Sequence, residues 1–515
     1  MIATRKCDLA IVGGGPAGMA AAIAARRFEM DVCLIDEQPR LGGQIYRQPP
    51  RDFRVESWLA GAIYKKGRAL VARAENLSGL RHIAPATVWG CFPSRGEAAP
   101  AHDVSFHNDA AAGSDAAAGS DAVAGSDAAA GSDAAAGRVR ARHVLIASGC
   151  YEAPVPFPGW HLPGVMSAGG IQTLLKSQRV AAGRAIVLAG SHPLLLVVAE
   201  QLLAAGIKIA AIALTQSSSA GWRLACFPRT AMTGSRQILG SLKTLAALRR
   251  ARVPLLFGHA VVEARGDRRL QGVNIRELAT GAHRVIDCDA LGVCYGFFPS
   301  SELARQAGAK HSWAPGGGWI VHADAYLRSS VPGISVAGEL TGVAGAEAAA
   351  LSGEIAAMGI AIDMGRASAA EGRRHVRKAQ ERLARLRKFA ALLASLSSPG
   401  SDFLGGLAQR STLVCRCEDI TLGEIEDAVS ADPGISSAST AKLLTRAGMG
   451  FCQGRMCEIS VRRIIARQRN LKVADIPGYV VRPPIKPVPV ASLAAYPDAL
   501  KIDPYSLVEP AGERR

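Results

Sequence analysis

Apolar positions along this 515-residue chain fall into short runs separated by glycine turns and alanine-rich stretches. The first run, Cys7-Asp8-Leu9-Ala10-Ile11-Val12, leads through a glycine turn into an Ala-rich segment and a second run that closes at Asp36. Strand, turn, helix and strand over residues 9–36 make a βαβ unit. The pattern repeats over residues 185–214 and continues as mixed strands and helices to about residue 290. Val144-Leu145-Ile146-Ala147 predicts another strand, ending in Ser148-Gly149. Residues 333–360 predict a short strand (334–337), a Gly-rich turn and a long Ala-rich helix. Such alternation predicts an α/β fold with two Rossmann-like dinucleotide-binding units.

Three segments break the alternation. Residues 108–138 are near-perfect copies of Ala-Ala-Ala-Gly-Ser-Asp, with too little apolar surface to fold alone, and predict a disordered loop between two strands. A basic helix over residues 371–396 ends at Pro399-Gly400. Past a cysteine-bearing module, the tail carries Pro483, Pro484, Pro487 and Pro489 and is expected to be extended, without sheet partners of its own. The expected division is a first nucleotide-binding domain in two parts (1–160 and 291–365) around a second (161–290). A helical linker (366–405), the cysteine module (406–475) and the Pro-rich tail (476–515) follow.

Length alone argues for several units, at about 150 residues per domain. The formal charge of +17 raises nucleic acid as a partner. The basic residues are dispersed, however, in clusters such as Arg249, Arg250, Arg252 and Arg373, Arg374, Arg377, Lys378, with few aromatics among them. No nucleic-acid binding is expected; an acidic partner subunit or a membrane surface accounts better for the surplus. The first residues hold no apolar signal region with a cleavage site, and the most apolar stretch, 185–214, is broken by His192, Glu200 and Lys208. The expected location is cytoplasmic, with attachment to the inner face of a membrane through a complex as the alternative. Eleven cysteines in such a chain predict buried thiols and, where they cluster, metal ligands.

Gly13-Gly14-Gly15-Pro16-Ala17-Gly18 stands between a strand and a helix, the context a dinucleotide fingerprint requires. Gly13 makes the tight turn, Gly15 lets the backbone approach a pyrophosphate, and Gly18 lets the helix pack on the strand. The helix that opens at Pro16 and Ala17 offers free N–H groups to phosphates from Ala17 onward. Asp36, followed by Glu37, ends the second strand where a carboxylate accepts hydrogen bonds from the adenosine ribose. Gly338-Glu339 with Gly342 and Gly345, and the strand end Ala147-Ser148-Gly149, resemble the second flavin motif and the connecting motif of two-dinucleotide-binding-domain flavoproteins. That resemblance implies FAD, with the acid at position 339 on the ribityl chain; the commoner residue there is Asp.

The second βαβ reads Ile186-Val187-Leu188-Ala189-Gly190-Ser191-His192-Pro193-Leu194-Leu195. His192 stands where a glycine should leave room for pyrophosphate, Leu195 takes the third glycine position, and Leu214-Thr215-Gln216 ends without an acid. Productive NAD(P)H binding is therefore not expected. No Cys-x-x-Cys pair lies outside the C-terminal module; Cys7, Cys33 and Cys288 read as buried small residues, and nothing pairs Cys150 with Cys294.

In the module, Cys415-Arg416-Cys417 precedes Cys452-Gln453-Gly454-Arg455-Met456-Cys457. Two close pairs of thiolates can hold a [2Fe–2S] cluster or zinc, although one and four intervening residues are poor zinc spacing. Val414-Cys-Arg-Cys-Glu-Asp and Thr445-Arg-Ala-Gly-Met-Gly-Phe-Cys-Gln-Gly-Arg-Met-Cys457 resemble the bacterioferritin-associated-ferredoxin (BFD) type of [2Fe–2S] domain. Fused behind a flavin fold, they resemble the α subunits of heteromeric amino-acid and imino-acid dehydrogenases, a family that includes D-hydroxyproline dehydrogenase, opine oxidase and hydrogen cyanide synthase. Gly42-Gly43-Gln44-Ile45-Tyr46-Arg47, with Gly43 and Gln44 at the cofactor, and the tail match the same family. The resemblance implies a subunit that passes electrons through FAD and a [2Fe–2S] cluster. Its partners would be a substrate-oxidising flavoprotein (the β subunit) and a small iron–sulfur γ subunit. No catalytic constellation for a substrate is found in the chain. The competing readings are a stand-alone NAD(P)H-dependent ferredoxin-type reductase and a non-catalytic scaffold subunit.

Overall fold

A computed structural model describes residues 4–51, 53, 62–94, 101–108, 136–219, 226–314, 317–397, 399 and 401–496. The low-complexity insert expected to be disordered lies, but for its edges, outside the described residues, as does the end of the tail. The first sheet runs in the order Leu80–Ile83, Val32–Ile35, Thr4–Val12, Ala136–Ile146, His102–Asn108, Ala86–Pro93. Thr4–Val12 is parallel to both neighbours, and Leu9 through Val12 are buried, which is why this strand reads as an unbroken apolar run. Ala136–Ile146 pairs antiparallel with His102–Asn108 through its first half. Its second half pairs with Ile334–Val336, bringing a late strand back beside the first.

Alanine and glycine dominate the helices on this sheet because two of them meet backbone to backbone. Pro16–Arg26 is buried from Pro16 to Ala25. It crosses Ala346–Asp363 so closely that a Cβ at Gly353 would fall 2.0 Å from the Ala17 carbonyl oxygen. Ala369–Ser397 then lays Val376, Leu383 and Leu386 onto the same core.

The second unit is a parallel five-stranded sheet, ordered Leu255–Phe257, Lys208–Leu214, Ala185–Gly190, Ala290–Cys294, Val165–Ser167. Because Ala290–Cys294 is an inner strand of this sheet, the chain leaves the second unit after residue 294 rather than 290. A short antiparallel pair, Cys150–Glu152 with Phe297–Pro299, carries both crossings between the units.

The cysteine module is a small hairpin, Leu413–Cys415 with Ile420–Thr421, followed by helices Leu422–Ala431, Ala438–Thr445 and Glu458–Arg469. The first two helices open on capping boxes, Thr421/Glu424 and Ser437/Thr440. The tail packs closely. Ile485 N–H donates to the Trp89 carbonyl at 2.9 Å, and wholly buried Tyr496 meets Trp89 edge-on at 5.0 Å and donates to the Phe106 carbonyl at 3.2 Å. It is a strap across the outer strands, with the short helix Val490–Ala494 near its end. No helix among the described residues is long and apolar enough to cross a membrane.

Candidate cofactor sites and the contact between them

The glycine turn, the acid and the two later motifs meet at one place. Gly13, at φ +108°, lies so close to the strand end 147–149 that a Cβ would come 2.4 Å from the Ala147 carbonyl oxygen. A Cβ on Gly18 would come 1.9 Å from the Gly13 carbonyl oxygen, so helix and turn touch through backbone alone. Gly15 differs: the nearest atom to its Cβ would be Gly43 Cα at 3.9 Å. The space above it is an open cradle at a helix start, which fits a pyrophosphate. Gly338, at φ +75°, packs over Ala17, and its N–H donates to Ser352 Oγ at 2.7 Å.

Asp36 is buried and accepts from Gly14 N–H and, at 2.7 Å, from Gln38 N–H. Burial pushes its carboxyl up and the two N–H donors pull it back. A carboxylate has about four lone-pair sites, so capacity for a ribose hydroxyl remains. Glu37 instead pairs with Lys486 of the tail. Gln44 is exposed, and its carbonyl, with that of Ile45, accepts from Lys176 Nζ at 2.9 and 3.0 Å. Lys176 is buried, and burial pushes its ammonium down to about 7. Nothing in Leu-Leu-Lys-Ser-Gln signals a buried lysine. Glu339 turns back on its own loop, accepting from Ala344 N–H at 2.8 Å and Gly345 N–H at 3.0 Å ahead of the helix Ala346–Asp363. Its carboxyl is raised by burial against those two donors.

Between the two units, Glu152 accepts from Gly169 N–H at 2.8 Å, beside Ser167 and the Cys294 thiol. Cys150 and Cys294 both feel its charge and lie within electrostatic reach of one another, a shared buried neighbourhood that no spacing in the sequence signals.

In the second unit, His192 fills the turn. Its Nδ1 accepts from Leu194 N–H at 3.1 Å, its ring stands edge-on to Phe297 at 4.8 Å, and burial lowers it to about 4. Gln216, at the position of the missing acid, folds back onto the Ser191 carbonyl. The helix N–H that would meet a phosphate is thus already engaged.

The four late cysteines lie in two neighbouring pairs. Cys415 neighbours Cys457, Cys417 neighbours Cys452, and Cys452 lies within electrostatic reach of Cys457. Glycines permit this: a Cβ on Gly450 would fall 2.3 Å from Cys417 Cβ, and Cβ atoms on Gly448 and Gly454 would strike the Tyr479 ring. Gly448 N–H points at Cys415 Sγ at 3.5 Å, and Tyr479 Oη lies 3.6 Å from Cys457 Sγ. The neighbouring Cys457 side chain, with backbone N–H groups, lowers the Cys415 thiol to about 6. Among the described residues no three His, Cys, Asp or Glu side chains converge for one metal ion. Four thiols in two pairs, with N–H donors to sulfur, fit a two-iron centre.

The module sits against the flavin-type unit. Arg462, wholly buried, lies over Trp313 at 3.8 Å and donates to the Ile476 carbonyl at 2.7 Å, while Trp319 Nε1 donates to Glu458 at 2.6 Å. A cavity of about 430 Å³ opens beside this contact.

Comparison with known proteins matches both segments that carry these residues. Residues 7–365 match the pyridine nucleotide-disulphide oxidoreductase family and residues 413–467 the BFD-like [2Fe-2S] binding domain. The chain is 33% identical over 493 residues to an opine oxidase subunit of Agrobacterium tumefaciens (strain Ach5), covering 95% of this chain and 92% of that one. It is 34% identical over 494 residues to the HcnB subunit of hydrogen cyanide synthase from Pseudomonas aeruginosa, covering 94% and 97%. L-proline dehydrogenase from P. horikoshii shares the fold, with a TM-score of 0.65 at 20% identity over 96% of this chain and 80% of that one. The cofactors of this fold and domain are FAD and a [2Fe–2S] cluster.

Proposed function

The chain belongs to the pyridine nucleotide-disulphide oxidoreductase family, extended by a BFD-like [2Fe-2S] domain, and from this we propose that it is the electron-transferring subunit of a heteromeric dehydrogenase or oxidase acting on a CH–NH donor. One observation carries the reading: the four-cysteine module packs against the unit that holds the nucleotide cradle, through Arg462 on Trp313 and Trp319 on Glu458, while His192 occupies the turn that would receive NAD(P)H. No substrate constellation stands among the described residues, and in this reading the chain takes electrons from a partner.

In this reading Gly13, Gly15, Pro16, Ala17, Gly18, Asp36, Gly43, Ala147, Ser148, Gly149 and Gly338 hold FAD. Gln44 contributes through its backbone, while Glu37 and Glu339 shape the loops around the site. Cys415, Cys417, Cys452 and Cys457 hold the [2Fe–2S] cluster. The partners are a substrate-oxidising flavoprotein (the β subunit) and a small iron–sulfur γ subunit; the donor is an imino acid of the hydroxyproline type or an opine. The location is cytoplasmic, and any contact with the inner face of a membrane runs through the complex.

Purified protein should show a flavin spectrum together with iron and acid-labile sulfide; absence of both sinks the reading. Anaerobic mixing with NADH or NADPH should leave the flavin absorbance unbleached on the time scale of turnover, and fast bleaching would favour a stand-alone reductase. Co-purified partners assayed against D- and L-imino acids and opines identify the donor.

A further inference from the structure

A chain of hydrogen bonds links the strand end at the first nucleotide site to the loop between Cys452 and Cys457. Ser148 Oγ donates to the Ser300 carbonyl at 2.6 Å, and Ser300 N–H donates to the Gly149 carbonyl at 2.9 Å. Ser300 Oγ then donates to Glu302 Oε2 at 3.2 Å, and Tyr151 Oη donates to Glu302 Oε1 at 3.5 Å. Glu302 Oε1 in turn pairs with Arg455 Nε at 3.2 Å, the two side chains being 14% and 17% exposed. Arg455 donates through Nη1 to the Cys452 carbonyl at 3.3 Å and through Nη2 to the Ile485 carbonyl of the tail at 2.9 Å. A single ion pair therefore joins the flavin-type unit, the cysteine loop and the strap.

Its charges have a second consequence. Reduction of the [2Fe–2S] centre takes one electron, drawn from the reduced flavin of the same chain, and adds one negative charge at the cysteine loop. A guanidinium on that loop favours the added charge and a carboxylate opposes it, and mostly buried charges are weakly screened. Cluster potentials respond to such charges and to hydrogen bonding around the sulfur ligands. We infer that Glu302 and Arg455 are positioning residues that set the potential of the [2Fe–2S] centre relative to the flavin, Arg455 raising it and Glu302 lowering it. The inference rests on the electron-transfer reading above.

A mechanical clamp and an electrostatic one respond differently to the loss of either partner. The test is a potentiometric titration of the full chain with its cofactors, followed by the electron paramagnetic resonance of the reduced centre. Glu302→Gln should shift the potential upward and Arg455→Gln downward, with Arg455→Lys remaining near the unmodified value. Shifts of the same sign in the two Gln variants, or none with an intact signal, overturn the inference. Should Arg455→Gln fail to retain the centre, the near-isosteric Glu302→Gln decides alone: without an upward shift the inference is wrong. If the unmodified chain gives no such signal, the electron-transfer reading itself fails, and this inference with it.

Discussion

Gly15 and Gly18 lie three residues apart in one turn, yet alanine at each should fail for a different reason. Gly15 has φ −75° and ψ −172°, a conformation alanine adopts freely, and its Cβ would have no neighbour closer than 3.9 Å. Folding of the cofactor-free chain should therefore be unharmed, or gain about 0.4–1 kcal/mol from the narrower unfolded ensemble. The added methyl projects into the cradle, where overpacking against a pyrophosphate costs about 1–3 kcal/mol, a loss of roughly 5- to 150-fold in FAD affinity. Gly18 is the reverse, since its Cβ would stand 1.9 Å from the Gly13 carbonyl oxygen, both atoms belonging to the backbone. Relief needs helix and strand to separate, at about 3 kcal/mol or more whether FAD is present or not. Flavin absorbance per polypeptide, titration of the stripped protein with FAD, and thermal unfolding of the stripped protein separate the two. Gly15→Ala should lose flavin and keep its apo stability; Gly18→Ala should lose both. Unchanged FAD affinity in Gly15→Ala, or equal apo destabilisation in the two variants, would refute the assignment of the cradle.

Other outcomes follow from the same geometry. Cys452→Ser should lose iron and labile sulfide and stop electron flow in a reconstituted complex while flavin content stays; full flow with assembly intact would leave only a scaffold role. Burial raises the Asp36, Glu152 and Glu339 carboxyls, so their protonation favours the fold. That contribution is complete below the ordinary carboxylate range near pH ~4 and is lost as pH rises through the raised values. Glu152→Gln, which keeps an acceptor for Gly169 N–H, should therefore gain stability relative to the unmodified protein as pH rises from about 4 to neutrality; denaturant unfolding showing a pH-independent difference would speak against it. Tyr496→Ala should destabilise the first unit by about 3–5 kcal/mol in the same assay, because it empties a fully buried site under the strap. A loss below about 1 kcal/mol, well short of that range, would mean the strap is dispensable.

What the sequence determined by itself was local. The turn 13–18, the strand ahead of it and the acid at its end follow from backbone needs that only glycine, buried apolar runs and a carboxylate meet at that spacing. The four cysteines and the histidine in the second turn are legible for the same reason: closely paired thiols can share a metal centre, and a side chain at a glycine turn fills the space a phosphate needs. What only the tertiary structure decided depends on parts distant in sequence. Lys176 is an ordinary polar residue until Gln44 and Ile45 offer it carbonyls across the fold. Glu302 and Arg455, 153 residues apart, have no common pattern, and their pairing exists because the start of the short helix Glu302–Gln306 and the cysteine loop face each other. The Pro-rich tail has no periodicity to show what it covers, so its role as a strap appears only once Trp89 presents a surface for Tyr496. Periodicity and turn chemistry record what a segment requires of itself; burial of a charge and the partner it finds record what the rest of the chain brings to it.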